Sequence, residues 1–160
     1  MGAVDVRPIT LPGDATRFVT SWWPIYAGDP HWVPPLIAER KRFFDPTKNP
    51  YFKYATVQCF MAYRDGVAVG TIAATVDHKQ QAHDPGVGLF GFFEFVDDEA
   101  VARALLTAAM DFLRSRGMRV ARGPYNFNTN HEFGLLVDGF DTDPMIANPH
   151  NRSYYGSIYE

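Results

Sequence analysis

The chain has 160 residues, 46% of them hydrophobic and 21% charged, a balance that suits one globular domain and excludes a disordered segment. Its 15 basic and 18 acidic side chains leave a formal charge of −3, so there is no global positive field to hold nucleic acid or an anionic membrane. The single cysteine, Cys59, excludes an intramolecular disulfide and a cysteine-built zinc site, and no apolar run approaches the ~18–20 residues that span a bilayer. The first residues, Met1 to Val6, carry neither a basic nor an apolar targeting segment, so a cytoplasmic location is expected. Aromatic residues make up 15%, which implies a thick core, a ring-lined pocket, or both.

Ala3 to Ile9 alternates Val4, Val6 and Ile9 with Asp5 and Arg7, which predicts a strand. Pro12-Gly13-Asp14 ends it, and Asp14 can cap a helix carrying Phe18, Val19, Trp22 and Trp23. Three prolines between Gly28 and Pro35 forbid a regular helix and predict an extended, packed loop. Leu36 to Phe44 reads as a short basic helix whose Arg40, Lys41 and Arg42 form a solvated face. Thr56–Tyr63 and Val67–Val76 are β-rich runs joined at Arg64-Asp65-Gly66, and Asp-Gly between apolar runs is a strong hairpin signal. The second run is small and apolar on both faces, as befits a central strand. A polar loop from His78 leads to a Phe-dense strand, Val87 to Val96. Asp97-Asp98-Glu99 opens a long helix with a buried face of Val101, Leu105, Ala108, Phe112 and Leu113, closed by Arg114, Arg116 and Gly117. Arg119–Arg122 predicts a short strand ended by Gly123-Pro124. An Asn-rich turn, an apolar patch at Gly134–Val137 and an Asp-rich loop follow, and Asn151 to Glu160 begins another helix.

This order predicts a mixed α/β (α+β) domain with one sheet, mostly antiparallel, and one right-handed parallel strand–helix–strand crossover. The strings that carry a resemblance are Asp29-Pro30-His31-Trp32-Val33-Pro34-Pro35-Leu36, Gly66-Val67-Ala68-Val69-Gly70-Thr71-Ile72-Ala73-Ala74, Gly88-Leu89-Phe90-Gly91-Phe92-Phe93-Glu94, Arg122-Gly123-Pro124-Tyr125-Asn126-Phe127 and Leu136-Val137-Asp138-Gly139-Phe140-Asp141. In these, and in element order over nearly its whole length, the chain resembles the GNAT superfamily of acyl-CoA-dependent N-acetyltransferases, and more narrowly a bacterial branch of GNAT-like proteins. The resemblance implies N-acyl transfer from acetyl-CoA or another acyl-CoA to a small-molecule acceptor. The alternative is a non-catalytic GNAT-fold module that binds a ligand or docks a partner. It further implies that residues 1–160 form a single domain truncated before its last two strands, with the remainder of its own chain or a second copy as partner.

One departure from the GNAT pattern bears on the cofactor. GNAT enzymes hold the CoA pyrophosphate on a glycine-containing loop at the N-terminus of the helix after the fourth strand, where backbone N–H groups and the positive helix end meet the anion. The matching segment here, Val96 to Arg103, has no glycine and three carboxylates in its first turn, which favour the helix end themselves and oppose a pyrophosphate. Cofactor contacts would then fall to Phe95, Val96, Asp97 and Arg103.

Glu94 lies in the Phe-dense strand, and alternation puts it on the face of Phe90, Phe92 and Val96. Desolvation there raises a carboxyl toward the range of a useful general base, the role that a glutamate in this strand has in some GNAT enzymes. The competing reading is a structural carboxylate paired with an arginine or reaching solvent. Tyr155 and Tyr159, with Tyr154, lie where GNAT enzymes place a tyrosine that returns a proton to the departing thiolate. The register leaves open which one acts, and packing on an amphipathic helix is the alternative. Asn126, Asn128 and His131 could grip a polar acceptor, but Thr129-Asn130-His131-Glu132 also reads as a capping box. His78 and His83 lie in a polar loop, and Asp138, Asp141 and Asp143 lack calcium-loop spacing, so no metal is expected. No Gly-x-Ser-x-Gly elbow supports a hydrolase.

Overall fold

The computed structural model describes residues 2–160. Five β-rich runs pair into one sheet: β1 (Asp5–Pro8), β2 (Ala55–Arg64), β3 (Val67–Asp77), β4 (Val87–Phe95) and β5 (Val120–Arg122), in the order β1-β2-β3-β4-β5. The first four strands are antiparallel, and β5 runs parallel to β4. The hairpin between β2 and β3 turns at Asp65 (φ 51°) and Gly66 (φ 81°), the two left-handed residues that a tight two-residue turn requires. The parallel pair is connected by a helix, α4 (Glu99–Ser115), as parallel pairing demands. The N-terminal helices are α1 (Ala15–Thr20), α2 (Trp22–Ile25) and α3 (Ile37–Phe43). A short hairpin, β6 (Tyr125–Asn126) with β7 (Glu132–Phe133), and a helix, α5 (Tyr155–Tyr159), come after β5.

The sheet separates two cores. On one face α4 buries Val101, Ala102, Leu105, Ala109 and Leu113 against Ile72, Ala74 and Val76 of β3. Each buried Val or Leu contributes about 1.5–3 kcal/mol. The stripe runs through Ala109 rather than Ala108, because 101, 105, 109 and 113 keep a four-residue step. Phe112 is half-buried at its margin, edge-on to Phe60 at 6.4 Å. On the other face α1, α2 and α3 cover the sheet with aromatic rings centred on Phe92. Its ring stacks on Trp22 (5.9 Å) and lies 4.8 Å from Phe44 and 5.2 Å from Phe127.

Two local expectations are corrected. The β3–β4 register shifts between Thr71 and Ala73, and Phe92 sits at φ 46°, a left-handed conformation that costs a non-glycine residue roughly 1–2 kcal/mol. This bulge breaks the alternation. Phe92 and Glu94 face the N-terminal helices, while Phe90 turns to the α4–α5 side beside Phe93 (6.0 Å). The displaced backbone is held by the Phe92 N–H donating to Asn126 Oδ1 (2.6 Å) and by Thr71 Oγ1 donating to the Phe92 carbonyl (2.8 Å). Gly91 is obligatory here, because a Cβ would collide with the Tyr125 carbonyl. The capping box at Thr129–Glu132 caps no helix. Glu132 pairs with Asn126 in the β6–β7 hairpin, and Asn128 Oδ1 accepts the Asn130 N–H (3.0 Å) as a local turn instead.

Candidate active site

The bulge in β4 aims Glu94 between two tyrosines. Glu94 Oε2 accepts the Tyr26 hydroxyl (2.6 Å), from the end of α2, and the Tyr155 hydroxyl (2.8 Å), from the first turn of α5. Tyr155 is positioned by stacking on Phe95 (4.2 Å) and by accepting the Phe95 N–H (2.9 Å). Tyr26 stacks on Trp32 at 4.7 Å, which also pins the proline-rich loop predicted between Gly28 and Pro35. Burial pushes the Glu94 carboxyl up to about 7, against the two phenol hydrogen bonds, which favour the ionised form; the nearby Glu132 charge adds to the rise. Burial, reinforced by Glu94, likewise holds both phenols well above the ordinary tyrosine range.

Glu94 opens into a cleft of about 310 Å³. Its apolar lining comes from Trp22, Trp32, Val33, Pro34 and Phe92 and from Pro144 to Ala147 and Pro149. The wall loops are tied together by His150 Nε2 with Asp29 Oδ2 (2.9 Å) and by His31 Nδ1 with Asp143 Oδ1 (2.9 Å). The polar lining comprises Glu94, Arg40, Asn126, Glu132, Asn148 and His150. Arg40 Nη2 donates to Glu132 Oε1 (2.8 Å), and its guanidinium lies over the Phe43 and Phe92 rings. The expected solvated face at Arg40-Lys41-Arg42 holds for Lys41 and Arg42 and is corrected at Arg40, whose side chain is only 14% exposed, drawn inward by Glu132 and the rings.

Glu94 and Asn126 line this cleft, and Tyr155 is buried behind Glu94, hydrogen-bonded to it. Tyr159 lies apart, packed against Phe93 (5.4 Å) and Phe90 (6.4 Å). Asn128 lines a separate cavity of about 440 Å³ and reaches Asp77 at 3.5 Å. His131 packs edge-on to Phe43 (5.1 Å) and Tyr51 (5.6 Å) behind the cleft. Sequence reasoning missed Tyr26, Trp32, Arg40 and the 144–150 wall as parts of one site. Only the Asp-Pro-His-Trp-Val-Pro-Pro string marked one side of it.

The residues proposed for CoA do not form a phosphate cradle. Asp98 caps α4 with its own carboxylate: Oδ1 accepts the Ala100 N–H (2.9 Å) and the Val101 N–H (3.4 Å), while Oδ2 is paired with Arg64. The N–H groups that a pyrophosphate needs are thus already occupied. Arg103 is exposed and paired with Glu99, and Asp97 is exposed. The Val96 N–H donates to the Val69 carbonyl (3.1 Å), and the Phe95 carbonyl accepts Tyr154 (2.6 Å). A CoA pyrophosphate does not fit at this helix end. Among the described residues, no group of three or more His, Cys, Asp or Glu could hold a metal ion, and no helix is long and apolar enough to cross a membrane.

No family model matches the chain. It is 41% identical over 159 residues, 98% of its length, to a bacterial ceramide synthase of Caulobacter vibrioides (strain NA1000 / CB15N). The chain spans about two fifths of the length of the curated relatives it matches. Among solved structures it is similar to an aminoglycoside acetyltransferase from an uncultured soil metagenomic sample in complex with sisomicin, with TM-score 0.55, 11% identity, and 77% of this chain and 78% of that one covered. It is also similar to a predicted acetyltransferase of Clostridium acetobutylicum with acetyl-CoA, with TM-score 0.54, 12% identity, and 74% and 79% coverage. The five-strand mixed sheet with its single parallel pair and these likenesses agree: the chain has the fold of the GNAT acetyltransferases.

Proposed function

We propose that the protein transfers an acyl group from a thioester donor of the acyl-CoA class to a primary amine carried on an apolar chain. The observation that carries this reading is Glu94, a carboxyl that burial pushes up to about 7, enclosed by two phenols and opening into a cleft with aromatic and aliphatic side chains in its lining. A carboxylate so tuned can accept a proton from an amine at neutral pH. The amine nitrogen bonds to the thioester carbonyl carbon, the C–S bond breaks, and Glu94 takes the proton that the nitrogen loses. Glu94 then gives that proton to the departing thiolate, and Tyr155, its buried partner at 2.8 Å, steadies the carboxylate from behind. Tyr26 holds the carboxylate in place. The product is an amide and a free thiol. No site is assigned to the donor's phosphates.

The relative's name supports the acceptor class, since a ceramide is an N-acylated long-chain amino alcohol. The neighbours named as acetyltransferases, one with acetyl-CoA, support the transfer of an acyl group. The self-capped end of α4 favours a second reading, a GNAT-fold binding module without catalysis. Mass spectrometry decides between them. Incubation with decylamine and an acyl thioester should yield the amide with wild-type protein and far less with Glu94→Gln. Amine binding without amide formation would favour the module, and equal amide formation by the variant would remove Glu94 from the reaction.

A further inference from the structure

The cleft holds a second polar feature that proton transfer does not use. Arg40 is mostly buried, yet among the described residues only Nη2 of its guanidinium donates a hydrogen bond, to Glu132 Oε1. Nε is enclosed without a hydrogen bond, 3.7 Å from Glu39 Oε2, and among the described residues Nη1 has no hydrogen-bond partner. Among the described residues, Glu132 Oε2 is engaged only by Asn126 Nδ2, at a long 3.3 Å. The Arg40 Nη1 donor and the half-used Glu132 acceptor therefore belong to neighbouring side chains, both lining the cleft that contains Glu94. A hydroxyl group both donates and accepts, and so matches this pair. An anionic group matches it poorly, because Glu132 already neutralises Arg40 and Glu94 adds a second carboxylate.

The geometry points to Arg40 and Glu132 as the recognition site for a hydroxyl on the acceptor, so that the cleft selects amino alcohols over plain alkylamines. This rests on the proposed function only for the amine at Glu94; the hydroxyl site itself is read by binding. The Asn126 amide serves as a positioning group, linking Glu132 to the bulged Phe92 N–H. An amine lacking the hydroxyl leaves the Arg40 donor unpaired against the apolar lining, which is the physical basis of discrimination.

The test compares 2-aminodecan-1-ol with 2-aminodecane by calorimetry. Wild type should bind the amino alcohol at least about tenfold more tightly, the scale of one charge-assisted hydrogen bond. Arg40→Met should bring that ratio to within about twofold of unity, and Arg40→Lys, which can keep the pair with Glu132, should lower it partway. Near-UV circular dichroism of the tryptophans reports whether each variant is folded, and Arg40→Lys decides if Arg40→Met is not. No hydroxyl preference in wild type, or an undiminished preference in a folded variant, overturns the proposal. A clear preference without amide formation supports this site and defeats the acyl-transfer reading. Amide formation at equal kcat/KM for both amines does the reverse.

Discussion

Replacing Glu94 with Gln should remove a pH dependence from the protein's stability. The folded carboxyl titrates at about 7, against an ordinary value of 4.5, because burial disfavours its charge. Below pH 4.5 the group is protonated in both states and contributes no difference. Between 4.5 and 7 the unfolded chain releases its proton while the folded chain keeps it, so stability falls as pH rises. Above 7 the loss is complete, at about 1.4 kcal/mol per pH unit, or about 3 kcal/mol in all. The Gln variant is neutral throughout, and its carbonyl can still accept from Tyr26 and Tyr155. Urea unfolding followed by the fluorescence of Trp22, Trp23 and Trp32 measures this at pH 5 and pH 8. The stability of wild type relative to Glu94→Gln should fall by about 2–3 kcal/mol between those two pH values. A change below about 0.5 kcal/mol would show that Glu94 is solvated or paired, and would refute the reasoning.

Tyr26→Phe and Tyr155→Phe each remove a donor to the ionised carboxylate, worth about 1.5–3 kcal/mol, so each should raise the Glu94 midpoint by about one to two pH units in a carboxyl NMR titration. An unmoved midpoint would show that the phenols do not hold Glu94. Gly91→Ala should cost at least about 2 kcal/mol, because its Cβ meets main-chain atoms of Tyr125 that cannot step aside; a melting temperature equal to that of wild type would contradict the β4–β6 crossing. Acyl-pantetheine and acyl-CoA should bind within about threefold of one another, since Asp98 occupies the helix end and each opposing carboxylate there costs a phosphate about 0.3–1 kcal/mol. Strong preference for CoA that is insensitive to salt would locate a phosphate site elsewhere in the protein.

The parts of this structure that were legible in the sequence are those fixed by local pattern. Asp65-Gly66 between apolar runs sets the β2–β3 hairpin, and Val101, Leu105 and Leu113 mark the buried face of α4, although Ala109 lies on it where the pattern suggested Ala108. Glu94 was legible because a carboxylate inside a run of phenylalanines has few exposed places to go. Arg40 was not, because its burial depends on Glu132, 92 residues away, and a helical Arg-Lys-Arg run carries no sign of which member turns inward. The face of Phe90 was misjudged because a bulge adds a residue without changing the apparent alternation. The sequence left Tyr155 and Tyr159 open. Their positions follow from how α5 docks on Phe95, where a one-residue difference in register changes which ring meets Glu94.

The most direct test of the central claim is the pH dependence of kcat for N-acylation of 2-aminodecan-1-ol by wild type and Glu94→Gln. Wild-type kcat should rise through an inflection near pH 7 as Glu94 ionises, and the variant should lose that inflection together with about 10²-fold or more of the rate. A Gln variant that keeps the wild-type rate and the same inflection would contradict a base at Glu94.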